Sequence, residues 1–225
     1  MSDLRLVVFD VDGTLVDSQG DILGAMAAAF GGLGLSVPGR AAVLDVVGLS
    51  LDHAMARLAP EADAAAQAEL VRRYRAAFAD LRTRRGAAES APLYPGAREA
   101  LERLAAAPEV LLGLATGKSR RGLDAVLSAH GIGHHFVTQQ VADHHPSKPH
   151  PAMLRAALDE TGVAPERAIM VGDTRYDIEM ARAAGVRSVG VRWGYQPETA
   201  LGGADAQAAR FAELPGLIDA LWEVA

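Results

Sequence analysis

The sequence predicts an α/β fold: a parallel sheet core into which an all-helical segment is inserted. Three observations carry that prediction. Leu6-Val7-Val8-Phe9 is a continuously apolar run closed by Asp10, Asp12 and Gly13, which fits a strand buried on both faces of a sheet. From Gly96 onward, short apolar runs alternate with helical stretches, the pattern of βα units that set strands side by side in parallel. Between these regions, residues 18–88 contain no run that reads as a strand.

Taken in order, the first strand ends in two carboxylates two residues apart. A strand has period two, so Asp10 and Asp12 would face the same way if it ran on. Gly13 instead lets the backbone turn sharply. Residues 21–30 are Ala-rich with helical spacing, ended by Gly31, Gly32 and Gly34. Residues 40–47 read as a short helix broken by Gly48, Ser50 as the N-cap of a helix through Leu58, and residues 61–82 as a longer helix. Residues 86–95 read as a linker, because Pro92 and Pro95 oppose continuous helix. Helices are then expected over 97–106, 119–129, 152–160, 176–184 and 215–224. Strands are expected over 110–115, ending in Thr116-Gly117, over 136–141, over 168–171, ending in Gly172-Asp173, and over 187–191. The expected architecture is a Rossmann-like core of residues 1–16 and 91–225, with residues 17–90 as the insert.

Bulk properties narrow the function classes. A net charge of −6 argues against an extended nucleic-acid surface. The chain has no cysteine, so disulfide and thiol chemistry are excluded. No apolar run approaches the roughly 20 residues of a membrane span, and the start MSDLRLVVFD lacks a signal-peptide pattern. A soluble, cytoplasmic protein without nucleic-acid or membrane partners is expected. Oligomeric state is left open.

In a parallel sheet the strand ends share one edge, so Asp10, Asp12, Thr116, Gly117, Asp173 and Asp177 converge on one crevice, with Lys148 in a nearby loop. Four acids at one edge would repel without a cation, and hard oxygen donors without cysteine suit Mg²⁺. Thr116 offers a hydroxyl, Gly117 a backbone N–H and Lys148 a positive charge. With a metal, these groups stabilise charge on a phosphoryl group. A carboxylate can attack phosphorus, and a second one nearby can act as acid and then base.

The set Asp10-Val-Asp12-Gly-Thr14-Leu-Val-Asp17, strand-ending Thr116-Gly117, Lys148-Pro149-His150-Pro151 and Gly172-Asp173-Thr174-Arg175-Tyr176-Asp177 resembles the haloacid dehalogenase superfamily. More narrowly, it is similar to the phosphoglycolate phosphatase-like branch. The insert matches that branch's helical cap domain in position and size. The resemblance implies that Asp10 is the nucleophile, forming an aspartyl-phosphate, and that Asp12 is the acid and base. It implies that the Asp10 carboxylate, the Asp12 backbone carbonyl and Asp173 hold Mg²⁺, with Asp177 in support. Thr116, Gly117 and Lys148 are the implied phosphoryl-binding groups. The implied activity is Mg²⁺-dependent hydrolysis of a small phosphomonoester from a phosphorylated metabolite pool, with 2-phosphoglycolate the first candidate. A phosphosugar mutase uses the same intermediate and is the alternative. A dehalogenase is disfavoured by Asp12 and Asp173, and a non-catalytic phosphate-binding module by the intact Asp10 and Asp12.

Other features admit plainer readings. Thr116 alone fits an N-cap, Lys148 alone a solvated loop lysine, and Asp12 alone a turn that caps the next helix. His134, His135, His144, His145 and His150 lie in polar loops and read as surface residues rather than metal ligands. Trp193-Gly194-Tyr195 reads as a packed loop. Arg72, Arg73, Arg75, Arg82, Arg84 and Arg85 read as a solvated face favourable to a helix C-terminus. The sharper expectation is that one of them grips a substrate carboxylate.

Overall fold

The structure, a computed structural model, describes residues 4–223. The expected helical residue Val224 and the first three residues lie outside the described residues. Six parallel strands form the sheet: β1 (Arg5–Phe9), β2 (Val110–Thr116), β3 (Phe136–Val141), β4 (Ala168–Gly172), β5 (Arg187–Val191) and β6 (Ala206–Ala208). Their order is β3-β2-β1-β4-β5-β6. The chain therefore fills one side of β1 and then returns to fill the other. This reversal opens a crevice beyond the carboxyl ends of β1, β2 and β4, where such sheets bind ligands.

The unbroken apolar run in β1 follows from burial on both faces. Val7 and Phe9 join one hydrophobic cluster, and Leu6 and Val8 join another across the sheet. The first cluster includes residues from α6 (Ala97–Ala105), α7 (Arg120–His130) and α10 (Leu214–Glu223). The second includes residues from α8 (Ala152–Thr161) and α9 (Arg175–Ala184). β6 was not expected. Its three residues, Ala-Gln-Ala, form an edge strand with no apolar run to reveal it.

None of the residues from Ser18 to Ser90 lies in a strand. The insert contains α1 (Gln19–Gly31), α2 (Arg40–Asp45), α3 (Leu51–Leu58) and α4 (Ala64–Arg85). It has a core of its own, built on Ile22, Met26, Phe30, Val43, Met55 and Leu70. The expected linker contains one short helix, α5 (Ala87–Ser90). Good helix formers between Gly86 and Pro92 suffice for one turn there, and the prolines then stop it. The two connections to the core run side by side. The Asp17 N–H donates to Pro92 O at 2.9 Å and the Tyr94 N–H to Leu15 O at 3.0 Å.

The insert is seated on the core. Tyr176 Oη donates to Asp45 O at 2.9 Å, Arg175 pairs with Asp45 at 2.8 Å, and the Ser50 N–H donates to Ser147 Oγ at 2.8 Å. Val46, Leu49 and Ala54 pack on Tyr176 beside these bonds.

Candidate active site

Three carboxylates meet at the carboxyl edge of the sheet. Asp10 follows β1, Asp173 follows β4, and Asp177 lies in the first turn of α9. Phe9 is in register with Val171, so the chain leaves both strands at one level. All three acids are buried, with oxygens within 4.8 Å of one another. Gly13 makes the close approach possible: its φ is +86°, and a Cβ there would lie 2.3 Å from Asp173 Oδ2.

Most of the cluster's oxygens are satisfied. Lys148 Nζ donates to Asp10 Oδ1 at 2.7 Å and to Asp177 Oδ1 at 2.6 Å. Asp177 Oδ2 accepts from the Thr174 N–H and hydroxyl, completing a capping box at the start of α9. Asp173 Oδ1 accepts from Thr14 Oγ1 at 3.1 Å, and Oδ2 from the Tyr195 N–H at 2.8 Å. Asp10 Oδ2 is different: it is buried without a hydrogen-bond partner.

Burial pushes the Asp10 carboxyl well above its usual range. Lys148 pulls it down, and repulsion from Asp177 pushes it up again. Asp173 is raised by burial and then by repulsion from Asp10 and Asp177. Burial also opposes the Lys148 ammonium, but attraction to Asp10 and Asp177 more than offsets this and holds it protonated. Three buried carboxylates thus face one buried ammonium, an imbalance that a low-dielectric site tolerates poorly. The residues fit a divalent cation. The donors are hard oxygens, the excess charge is negative, and Asp10 Oδ2 is an unused buried acceptor.

The side chain of Asp12 lies outside this cluster. Lys118 Nζ donates to both of its oxygens, at 2.6 and 2.8 Å, and Ser18 Oγ donates to Oδ1. The Ser18 N–H in turn donates to Tyr195 Oη at 2.7 Å. Lys118 and Tyr195 were not anticipated from the sequence. The available signal for Lys118 was its place two residues beyond Thr116, at the same strand end.

Thr116 closes β2 and is buried. It is not the cap of α7. That role belongs to Ser119, whose Oγ accepts from the Gly122 N–H at 3.2 Å. Gly117 is where insert and core touch: a Cβ there would lie 2.6 Å from Leu49 O and 2.8 Å from Gly48 O. Trp193 packs on Phe211, as a packed loop should, with ring centroids 4.5 Å apart. Among the loop histidines, His145 Nε2 meets Gln140 Oε1 at 2.8 Å and His150 Nδ1 accepts from the Ala152 N–H.

A cavity of about 450 Å³ lies between insert and core. Asp10, Asp12, Thr116, Gly117 and Lys118 line its core side; Lys148 and Asp173 are not among the lining residues. The structure sorts the six insert arginines. Arg72 and Arg73 pair with Glu69, Arg84 with Asp80 and Arg85 with Asp21, whereas Arg75 and Arg82 line the cavity.

Known proteins resemble this chain in sequence and fold. The family model described as haloacid dehalogenase-like hydrolase matches residues 7–191. A probable phosphatase, IndB, of Dickeya dadantii is 35% identical over 224 residues, covering 96% of this chain and 94% of the relative. A phosphoglycolate phosphatase of Vibrio parahaemolyticus is 32% identical over 197 residues, covering 86% of each chain. Among solved structures, a protein described as a predicted phosphoglycolate phosphatase from Haemophilus somnus superposes with a TM-score of 0.82. It is 26% identical, and the match covers 96% of this chain and 99% of that one.

Proposed function

From the premise that the chain belongs to the haloacid dehalogenase-like hydrolase family, as a phosphatase, we propose that it hydrolyses a small phosphomonoester through an aspartyl-phosphate on Asp10 with Mg²⁺ as cofactor. The observation that carries this reading is the unsatisfied, buried oxygen Oδ2 of Asp10, a residue that lines the cavity and clusters with Asp173 and Asp177.

In the first step Asp10 attacks phosphorus and the ester P–O bond breaks, with Asp12 giving a proton to the departing alkoxide. In the second, Asp12 takes a proton from water, whose oxygen attacks the aspartyl-phosphate. Inorganic phosphate leaves and Asp10 is regenerated. Asp12 Oδ1 accepts from both Lys118 and Ser18, whereas Oδ2 accepts from Lys118 and keeps a second lone pair, which makes Oδ2 the oxygen to carry the proton. Thr116 and Gly117, which line the cavity, bind the phosphoryl oxygens, and Lys148, which donates to Asp10 from behind that lining, adds its positive charge to them. Asp10, Asp173 and the Asp12 backbone carbonyl would hold the Mg²⁺, with Asp177 in support. When bound, the ion neutralises charge on the phosphoryl oxygens. Residues 17–90 act as the cap, which excludes bulk water and hinges just after Asp17 and within residues 86–95.

Release of inorganic phosphate tests the reading. A panel of phosphate esters, 2-phosphoglycolate included, should yield phosphate in the presence of Mg²⁺. A mutase would return the phosphoryl group to a sugar, and a binding module would release none.

The sorting of the arginines sharpens a second expectation. A phosphoester with a carboxylate at its far end would meet Arg75 or Arg82, and guanidinium pairs well with carboxylate. Arg75→Ala or Arg82→Ala should lower kcat/KM for such an ester by roughly tenfold to a hundredfold, the worth of one charge-assisted hydrogen bond. A neutral ester should change much less, as should both esters with Arg72→Ala or Arg84→Ala. Steady-state assays on all four variants decide this, and equal behaviour of Arg75→Ala, Arg82→Ala and wild type would refute it.

A further inference from the structure

The cavity is larger than a two-carbon phosphorylated acid requires, and one part of its wall is apolar. Its volume of about 450 Å³ falls among sites that enclose drug-sized ligands, roughly 300–1,000 Å³. This is the volume with the cap seated. Asp45, Ser50 and the Gly48-Leu49 carbonyls already touch the core, so no further closure is needed to define it. The two sides differ in chemistry. The core side supplies Asp10, Asp12, Thr116 and Lys118, while the cap side joins an apolar patch of Ile22, Met26, Val43 and Val47 to the α4 stripe that carries Tyr74 and Phe78 together with Arg75 and Arg82. Tyr74 and Phe78 stack with centroids 5.8 Å apart, one turn apart on α4. Burial holds the Tyr74 phenol well above its ordinary value, so that ring stays neutral, and the charge on this side of the cavity is that of Arg75 and Arg82.

A carboxylate or hydroxyl set against Val43, Val47 and Met26 would lose its water and gain no donor there. A ring-sized hydrocarbon surface in the same place would displace water at a gain. Resting on the phosphatase reading above, we infer that the preferred substrate is a phosphomonoester whose body beyond the ester oxygen is a ring-sized, largely apolar group. That body lies against the cap wall formed by α1, α2 and α4, and the phosphoryl group lies at Asp10.

A series of esters with alkoxide leaving groups tests this on the intact protein: ethyl phosphate, 2-phosphoglycolate and benzyl phosphate, each assayed by phosphate release with Mg²⁺. Benzyl phosphate should exceed ethyl phosphate in kcat/KM by about tenfold or more, the discrimination an apolar pocket gives, and should exceed 2-phosphoglycolate as well. Phe78→Ala and Val47→Asn should each collapse the benzyl-to-ethyl ratio toward one. If 2-phosphoglycolate or ethyl phosphate equals or exceeds benzyl phosphate in the wild-type enzyme, the inference is overturned while the phosphatase reading stands. It is overturned likewise if both variants keep the wild-type ratio. Release of phosphate from none of the esters would instead overturn the phosphatase reading and this inference together.

Discussion

Asp10→Asn should lower turnover by several orders of magnitude and leave the protein folded. Asparagine keeps the shape of the side chain and an oxygen to accept from Lys148, but it has no anionic oxygen to attack phosphorus. Each tenfold loss corresponds to about 1.36 kcal/mol of barrier, and a reaction that needs a covalent intermediate cannot proceed at a tenth of its rate without the nucleophile. The effect on the fold has the opposite sign. Burial raises the Asp10 carboxyl. A raised carboxyl contributes stability at low pH and loses it as pH rises through the folded-state value. Near neutral pH the ionised Asp10 therefore costs stability, and its neutral isostere also relieves repulsion on Asp173 and Asp177. A melting temperature equal to or above wild type is expected in the metal-free protein. Retention of about a tenth of the wild-type turnover would remove Asp10 from the nucleophile's role.

Chelation should abolish activity, and added Mg²⁺ should restore it. Three buried carboxylates are offset by one lysine, and the substrate adds further negative charge to the same crevice. At low effective dielectric, charges a few ångströms apart repel by several kcal/mol, so phosphate entry without a cation is disfavoured. A second readout is independent of turnover: Mg²⁺ should raise the melting temperature of wild type in proportion to its binding. The rise should be smaller in Asp173→Asn. Full activity in excess EDTA would contradict the metal assignment.

Much of this site was legible because its chemistry sits at strand ends. Asp10, Thr116 and Asp173 each close an apolar run, and a parallel sheet brings such ends to one edge without further information. β1 could be read because burial on both faces leaves an unbroken apolar signature. β6 could not, since a three-residue edge strand of Ala-Gln-Ala carries no periodicity. Lys118 and Tyr195 escaped for a different reason. A lone lysine in a loop reads as solvated, and only the fold shows it clasping Asp12. The Tyr195 hydroxyl reaches Ser18 across the site from far along the chain. The arginines show the limit most clearly. Arg75, Phe78, Ala79 and Arg82 form one stripe at helical spacing on α4, so their common face follows from the sequence. Which face the insert turns toward the core is set by contacts such as Tyr176 with Asp45, between segments far apart in sequence.

The central claim is a covalent phosphoryl group on Asp10. Its most direct test is rapid acid quench of enzyme mixed with saturating substrate and Mg²⁺, followed by peptide mass spectrometry. Asp12→Ala should be included with p-nitrophenyl phosphate, whose leaving group departs without a proton, so that the intermediate still forms and loss of the base lets it accumulate. One phosphoryl group is expected on the peptide that contains Asp10, enriched in Asp12→Ala and absent in Asp10→Asn. A wild-type enzyme that releases phosphate steadily, with no phosphoryl group on that peptide in either background, would contradict the account.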